Sequence, residues 1–166
     1  MAILLAFPIF IFLLIFQSAV MSRVLLLHGA ADLILLTVVA WALHKHVKTA
    51  WQWALIGGAL VSIVTALPLG VPMLTYPMAA GVALLLKRRV WQAPILAMLV
   101  ATFITTLLSH FISILTLVLM GSPISLWNAI NNITLPSLIL NLLLSIPAYA
   151  IFNELGNLLY PEELEV

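Results

Sequence analysis

The chain reads as an all-α, polytopic membrane protein: a bundle of six transmembrane helices with both termini in the cytoplasm. Three observations predict this. Hydrophobic residues fill 65% of the 166 positions and charged residues 7%, with a mean hydropathy of +1.28. A soluble domain carries roughly a quarter charged residues and at this size buries only about two-thirds of its chain's surface, so lipid must be the solvent. The apolar residues also fall in continuous runs near the ~20 residues that a helix needs to cross a hydrocarbon core ~30 Å thick, without the period-two alternation of an outer-membrane barrel. Finally, the few cations are divided unequally between the two sets of loops.

Ala2–Met21 is the first span, with Pro8 near its start. It lacks a basic leading region and a clear cleavage context, which predicts a retained helix rather than a secretory signal. Ser22 and Arg23 end it, and Val24–Leu43 follows as the second span, closed by His44, Lys45, His46, Val47 and Lys48. The third span is Ala50–Leu67, with Trp51 and Trp53 suited to an interfacial anchor. A turn, Pro68–Pro72, built on Pro68, Gly70 and Pro72, leads into the fourth span, Met73–Leu86, which Lys87, Arg88 and Arg89 stop. That run is short for a crossing, so either the helix begins inside the turn or its end is sunk into the bundle.

A fifth run, Trp91–Met120, measures on the order of 45 Å at 1.5 Å per residue and must tilt or emerge from the membrane. Ile124, Trp127, Ile130 and Ile133 then recur every third residue opposite Ser125, Asn128, Asn131 and Asn132, the pattern of a short amphipathic segment lying in the interface. The sixth span, Leu135–Leu159, opens with Pro136 and is interrupted by Pro147. Residues 1–160 thus make one membrane domain, and 161–166 a short acidic cytoplasmic tail.

Six spans put both termini on one side. That side receives Lys45, Lys48, Lys87, Arg88 and Arg89, and the other only Arg23. Positively charged short loops stay inside, which predicts a multi-pass protein of the cytoplasmic membrane with cytoplasmic ends.

Several function classes fall away. A net charge of +1 with no clustered basic face gives no reason to expect a nucleic-acid partner. The absence of cysteine excludes disulfides, thiolate metal sites and cysteine nucleophiles. His44 and His46 diverge by about 200° on a helix and have no third ligand nearby, so no metal is expected, nor any other cofactor. Hydrolase, phosphate-loop and metalloprotease motifs are missing, as are paired acids, and no internal repeat suggests a transporter's inverted halves. The reading is of a protein that is not an enzyme.

Polar residues inside the spans are the candidate site. Asp32 is the only carboxylate before Glu154 and falls within the second span. A charge there costs roughly 2.5–3.5 kcal/mol, so an intramembrane acid is expected to face the bundle and to have a partner. His28 lies four residues earlier, on the same face of a continuous helix, and His110, counted along the fifth span from Arg89, falls in the outer half of the membrane. An Asp32–His28–His110 cluster leaves three roles open: a hydrogen-bonded staple between helices, a group that docks a ligand or partner, or a proton relay, to which one carboxylate without a second acid offers little. Small residues at helical spacing, Ala54, Gly57, Gly58 and Ser62 on the third span and Ala79 and Gly81 on the fourth, predict close approach of helices. Ala2 and Ala6 make a weaker stripe on the first.

The order of these features resembles the bacterial rod shape-determining protein MreD family. The resemblance rests on length, six spans and three local matches: Ala31-Asp32-Leu33 followed by Ile34, Leu35 and Leu36; the hairpin from Gly57 through Leu67, Pro68, Leu69 and Gly70 to Arg89; and a last span entered by Leu135-Pro136, with Asn141 and then Pro147 and Tyr149. Ala31 stands where proline is usual, and Ser62 where many members carry an acid, so no role of that acid is carried over. The resemblance implies a non-enzymatic subunit of the cell-elongation (rod) complex in the bacterial cytoplasmic membrane. It would associate with MreC, whose single membrane helix would dock on the bundle, and through it with the peptidoglycan synthases. The family's fold is thought to resemble the substrate-binding components of energy-coupling-factor vitamin transporters, which makes such a component the alternative. A structural subunit of a larger respiratory or photosynthetic assembly is a third reading.

Overall fold

The computed structural model describes residues 2–19, 28–89 and 93–161. Arg23, the junction of the first two predicted spans, the start of the fifth at Trp91 and residues 162–166 of the acidic tail lie outside the described residues. Regular structure within them is entirely helical: α1 (Ala2–Ala19), α2 (Leu33–Leu43), α3 (Ala50–Val64), α4 (Gly70–Arg89), α5 (Pro94–Leu119), α6 (Leu126–Ala129) and α7 (Leu135–Leu159). A π-helical stretch, Ile130–Thr134, joins α6 to α7, so that Leu126–Leu159 runs as one helix of 34 residues. By length and hydropathy this joined helix, α1, α4 and α5 are able to cross a membrane; α2 and α3 are apolar but shorter.

The short α2 is the hub. Every residue from Ile34 to Leu43 is buried, and α2 packs on α1, α3, α4, α5 and α7. A helix apolar on all sides belongs inside a bundle. It starts at Leu33 and not at Val24, because the Asp32 carboxylate accepts the backbone N–H of Leu35 at 2.9 Å and caps it. Asp is among the preferred N-caps because its oxygen satisfies one of the orphan N–H groups of the first turn. Residues 28–32 precede the helix as irregular chain, so the expected helical face shared by His28 and Asp32 does not exist.

α4 begins inside the predicted turn, which lengthens the short fourth run to 20 residues. The connection is residues 65–69 rather than Pro68–Pro72. Val71 N–H donates to Pro68 O at 2.9 Å, and Pro72 falls in the first turn, where a missing N–H breaks no helical bond. The predicted small residues lie at helix contacts. A Cβ on Gly58 would come within 2.9 Å of the Pro72 carbonyl oxygen, and one on Gly57 within 3.0 Å of Ile34 and 3.4 Å of Phe10. Ala54 and Ala79 are buried, Gly81 faces Trp51, and the Ser62 hydroxyl donates to Gly58 O at 2.7 Å and to Leu69 O at 3.1 Å.

α5, at 26 residues, is about 39 Å long. From Leu126 on, the predicted amphipathic segment is continuous with the long last helix. Its Trp127 and Asn128 are exposed and Ala129 is buried.

Contacts across the bundle give it two distinct ends. Trp53 Nε1 donates to Ala2 O at 3.0 Å, Lys87 Nζ donates to His44 O at 2.5 Å, and His44 Nε2 and Asn157 Oδ1 are 3.1 Å apart. Both ends of the described chain therefore lie at one end of the bundle, which also carries Lys45, Lys48, Lys87, Arg88 and Arg89. We call this the basic end. Its interior is aromatic: Trp41 stacks on Trp53 with centroids 4.1 Å apart, and Phe10 meets Trp53 edge-on at 5.5 Å.

Candidate functional site: a polar cavity at the far end

Polar residues inside apolar helices need partners, because lipid offers none. At the end opposite the cations they find one another. Asp32 uses one carboxylate oxygen for its cap, and the other accepts the Tyr76 hydroxyl of α4 at 2.8 Å. Its backbone N–H donates to Asn141 Oδ1 of α7 at 2.8 Å, and Asn141 Nδ2 donates to Thr106 Oγ1 of α5 at 3.0 Å. Leu33 N–H donates to Gln17 Oε1 of α1 at 2.9 Å. One residue pair, Asp32–Leu33, thus ties together α1, α2, α4 and α7, with α5 one bond further.

The irregular chain before α2 is pinned to the last helix. His28 N–H donates to Asn132 O at 3.0 Å and Ala30 N–H to Ser137 Oγ at 3.1 Å. Gly29 sits so close to Pro136 and Ser137 that a Cβ has no room. Beside the π-helical stretch, the Thr134 hydroxyl and His110 Nδ1 are 3.3 Å apart in a hydrogen bond. Helix-breaking geometry of this type commonly marks functional positions.

These groups surround a cavity of about 550 Å³ between α1, the 28–32 segment, the end of α3, the start of α4, the C-terminal half of α5 and the start of the last helix. Its lining includes Gln17, His28, Asp32, Thr75, Tyr76, Ser109, His110, Ser113 and Ser137. The structure brings the three predicted residues to one cavity without a direct bond among them: Asp32 pairs with Tyr76, His110 with Thr134, and His28 is exposed. Its volume falls in the ~300–1,000 Å³ range of small-molecule sites. A second, almost wholly apolar groove of about 580 Å³ runs along the outside of α5 from Leu107 to Val118, opposite Leu126, Ile130 and Leu135. The two share His110 and Ile114.

Among the described residues no group of three or more His, Cys, Asp or Glu side chains is placed to hold a metal ion. Lys45, Lys48, Arg88 and Arg89 are exposed at the other end of the bundle. Gln17, Tyr76 and Thr106 are the members of the network that sequence reasoning passed over. Gln17 carried a readable signal, as an amide near the end of an otherwise apolar run. Tyr76 and Thr106 are ordinary in membrane helices, and only the fold shows their partners.

Comparison of the chain with protein-family models, curated proteins and solved structures returns no match.

Proposed function

We propose that the chain is a non-enzymatic scaffold of the bacterial cytoplasmic membrane, a six-span bundle with cytoplasmic termini that holds the membrane helix of MreC. Through MreC it supports the peptidoglycan synthases of the rod complex and hence cell shape. The observation that carries this reading is the engagement of the far-end polar side chains in bonds between helices. Asp32, Tyr76, Asn141, Thr106 and Gln17 form ties from one helix to the next rather than a nucleophile, base and orienting group aimed at one point. The sequence resemblance supplies the partner.

Both short helices count as spans in this reading. α2 is enclosed by five others, and irregular backbone beside it at membrane depth is tolerated where protein surrounds it. The placement of five cations with both ends of the described chain favours cytoplasmic termini. Gly57, Gly58 and Ser62 already hold α1, α2 and α4, so a docking helix must use other faces. The test is co-purification of the tagged protein from native membranes in mild detergent, with MreC recovered beside it. A folded protein that brings down no MreC refutes the reading.

The cavity favours a second reading, the substrate-binding component of a vitamin transporter. Retention of a vitamin through purification supports it, and a cavity that takes up only lipid counts against it.

A further inference from the structure

Asp32 lines the cavity, and among the described residues its carboxylate has no counter-charge. The groups bonded to its carboxylate are neutral, the Leu35 N–H and the Tyr76 hydroxyl, and among the described residues lining the cavity there is no Lys or Arg. A carboxylate offers about four acceptor positions, of which these two groups and the Ile34 N–H take three. Carboxyls at membrane depth pair with a cation or mark a pathway or ligand.

Two more acceptors line the same cavity. Most hydroxyls in these helices bond back to a carbonyl of their own helix, as Thr37 does to Leu33, Ser62 to Gly58, Thr105 to Ala101 and Thr116 to Ile112. Ser109 and Ser113, one turn apart on α5, have no such bond among the described residues, and both line the cavity. One acid with a spare acceptor position and two hydroxyls without a bond to their own helix, in a cavity where the described lining holds no Lys or Arg, match a group that carries positive charge and several N–H donors.

We propose that the cavity binds an ammonium group, with Asp32 as its counter-ion and Ser109 and Ser113 as further acceptors. The inference goes beyond the scaffold reading and stands whether or not MreC docks. The ammonium has two sources. A soluble amine would enter from the far side of the bundle, and an ethanolamine lipid would lay an acyl chain in the neighbouring apolar groove. That groove follows α5 from Leu107 to Val118, about 16 Å at 1.5 Å per residue, close to half of a ~30 Å core and so to one leaflet.

The test uses the full chain in nanodiscs of phosphatidylglycerol, with thermal unfolding followed by tryptophan fluorescence. Ethanolamine is titrated against ethylene glycol, an uncharged molecule of similar size, and native mass spectra compare retention of phosphatidylethanolamine with phosphatidylglycerol. Asp32→Asn keeps an N-cap oxygen for the Leu35 N–H and turns its amide N–H2 toward the Tyr76 hydroxyl, which then accepts instead of donating, while removing the charge. Ser113→Leu fills the cavity and touches none of the network's bonds. Saturable stabilisation by ethanolamine alone, weakened at least about tenfold in both variants, assigns the site to a soluble amine. Selective retention of phosphatidylethanolamine, lost in both variants, assigns it to a lipid headgroup. Equal responses to the diol and the amine, an Asp32→Asn protein that behaves as wild type, or no binding of either source overturns the proposal.

Discussion

The two ends of this bundle are held by different physics. At the basic end Trp41 stacks on Trp53 and Phe10 meets Trp53 edge-on, while Gly156 leaves just enough room for the His44 ring. At the far end a chain of hydrogen bonds runs through Asp32, Tyr76, Asn141 and Thr106, and Asp32 and Tyr76 also line open space. Lipid tails are as apolar as leucine, so helices in a bilayer associate through close packing and interhelical hydrogen bonds and gain little from a hydrophobic force. Packed rings dominate the basic end, with bonds from Trp53, Lys87 and His44 added to them; at the far end bonds between helices dominate.

The sharpest way to break this contrast is Trp53→Ala. It removes the ring that stacks on Trp41, meets Phe10 and donates to Ala2 O, and is expected to cost about 3–5 kcal/mol, as large-to-small aromatic changes in cores do. Unfolding in detergent should show the loss, and cross-linking should show α1 released from α3. Asn141→Leu comes next. It leaves the Asp32 N–H and the Thr106 hydroxyl without partners, at about 1–3 kcal/mol. Its effect should stay at the far end, so hydrogen exchange should rise around residues 30–35 while the tryptophan environment is unchanged. Tyr76→Phe removes one bond and should cost only about 0.6 kcal/mol, the average for interhelical bonds in a measured membrane protein. A cost as large as that of Trp53→Ala would mean that the far end is not the softer one.

The smallest expected effect is one of pH at the basic end. His44 lies beyond the end of α2 with its Nδ1 accepting the His46 N–H at 3.3 Å and its Nε2 facing Asn157 Oδ1, an arrangement of the neutral ring. Burial lowers its pKa below the ordinary 6.5; Asn157 opposes this, and His46 and Lys87 add to it. Because the folded value is depressed, the stabilisation is present above about pH 6.5, the unfolded value, and is lost as pH falls through it toward the folded one. Melting temperature should therefore decline on acidification, and His44→Asn should flatten that slope.

Much of this fold is legible in apolar runs and their interruptions. The predicted sixth run coincides with α7, Leu135–Leu159, although the helix itself continues back through the π-helical stretch to Leu126. α4 ends at the basic block that stops its run. The start of α2 is different. The stretch from Val24 to Leu43 is mostly apolar, and hydropathy does not distinguish helix from irregular chain. Only the Asp32 side chain, acting as a cap, marks the boundary. The cavity is illegible for a further reason. Asp32, Tyr76, Ser113 and Ser137 come from four separated stretches, and nothing in local spacing brings them to one place.

The π-helical stretch has a consequence for evolution and for engineering. An extra residue accommodated within Ile130–Thr134 offsets the rotational phase of everything before it relative to α7, by roughly 100° per residue in an α-helix. Deleting a single residue there would let the coil close into ordinary α-helix and turn α6 about its own axis. Trp127 would then swing around the helix and Ala129 would leave its buried position, while α7 kept its contacts. Five residues thus act as a phase adjuster between the cavity wall and the helix that anchors it.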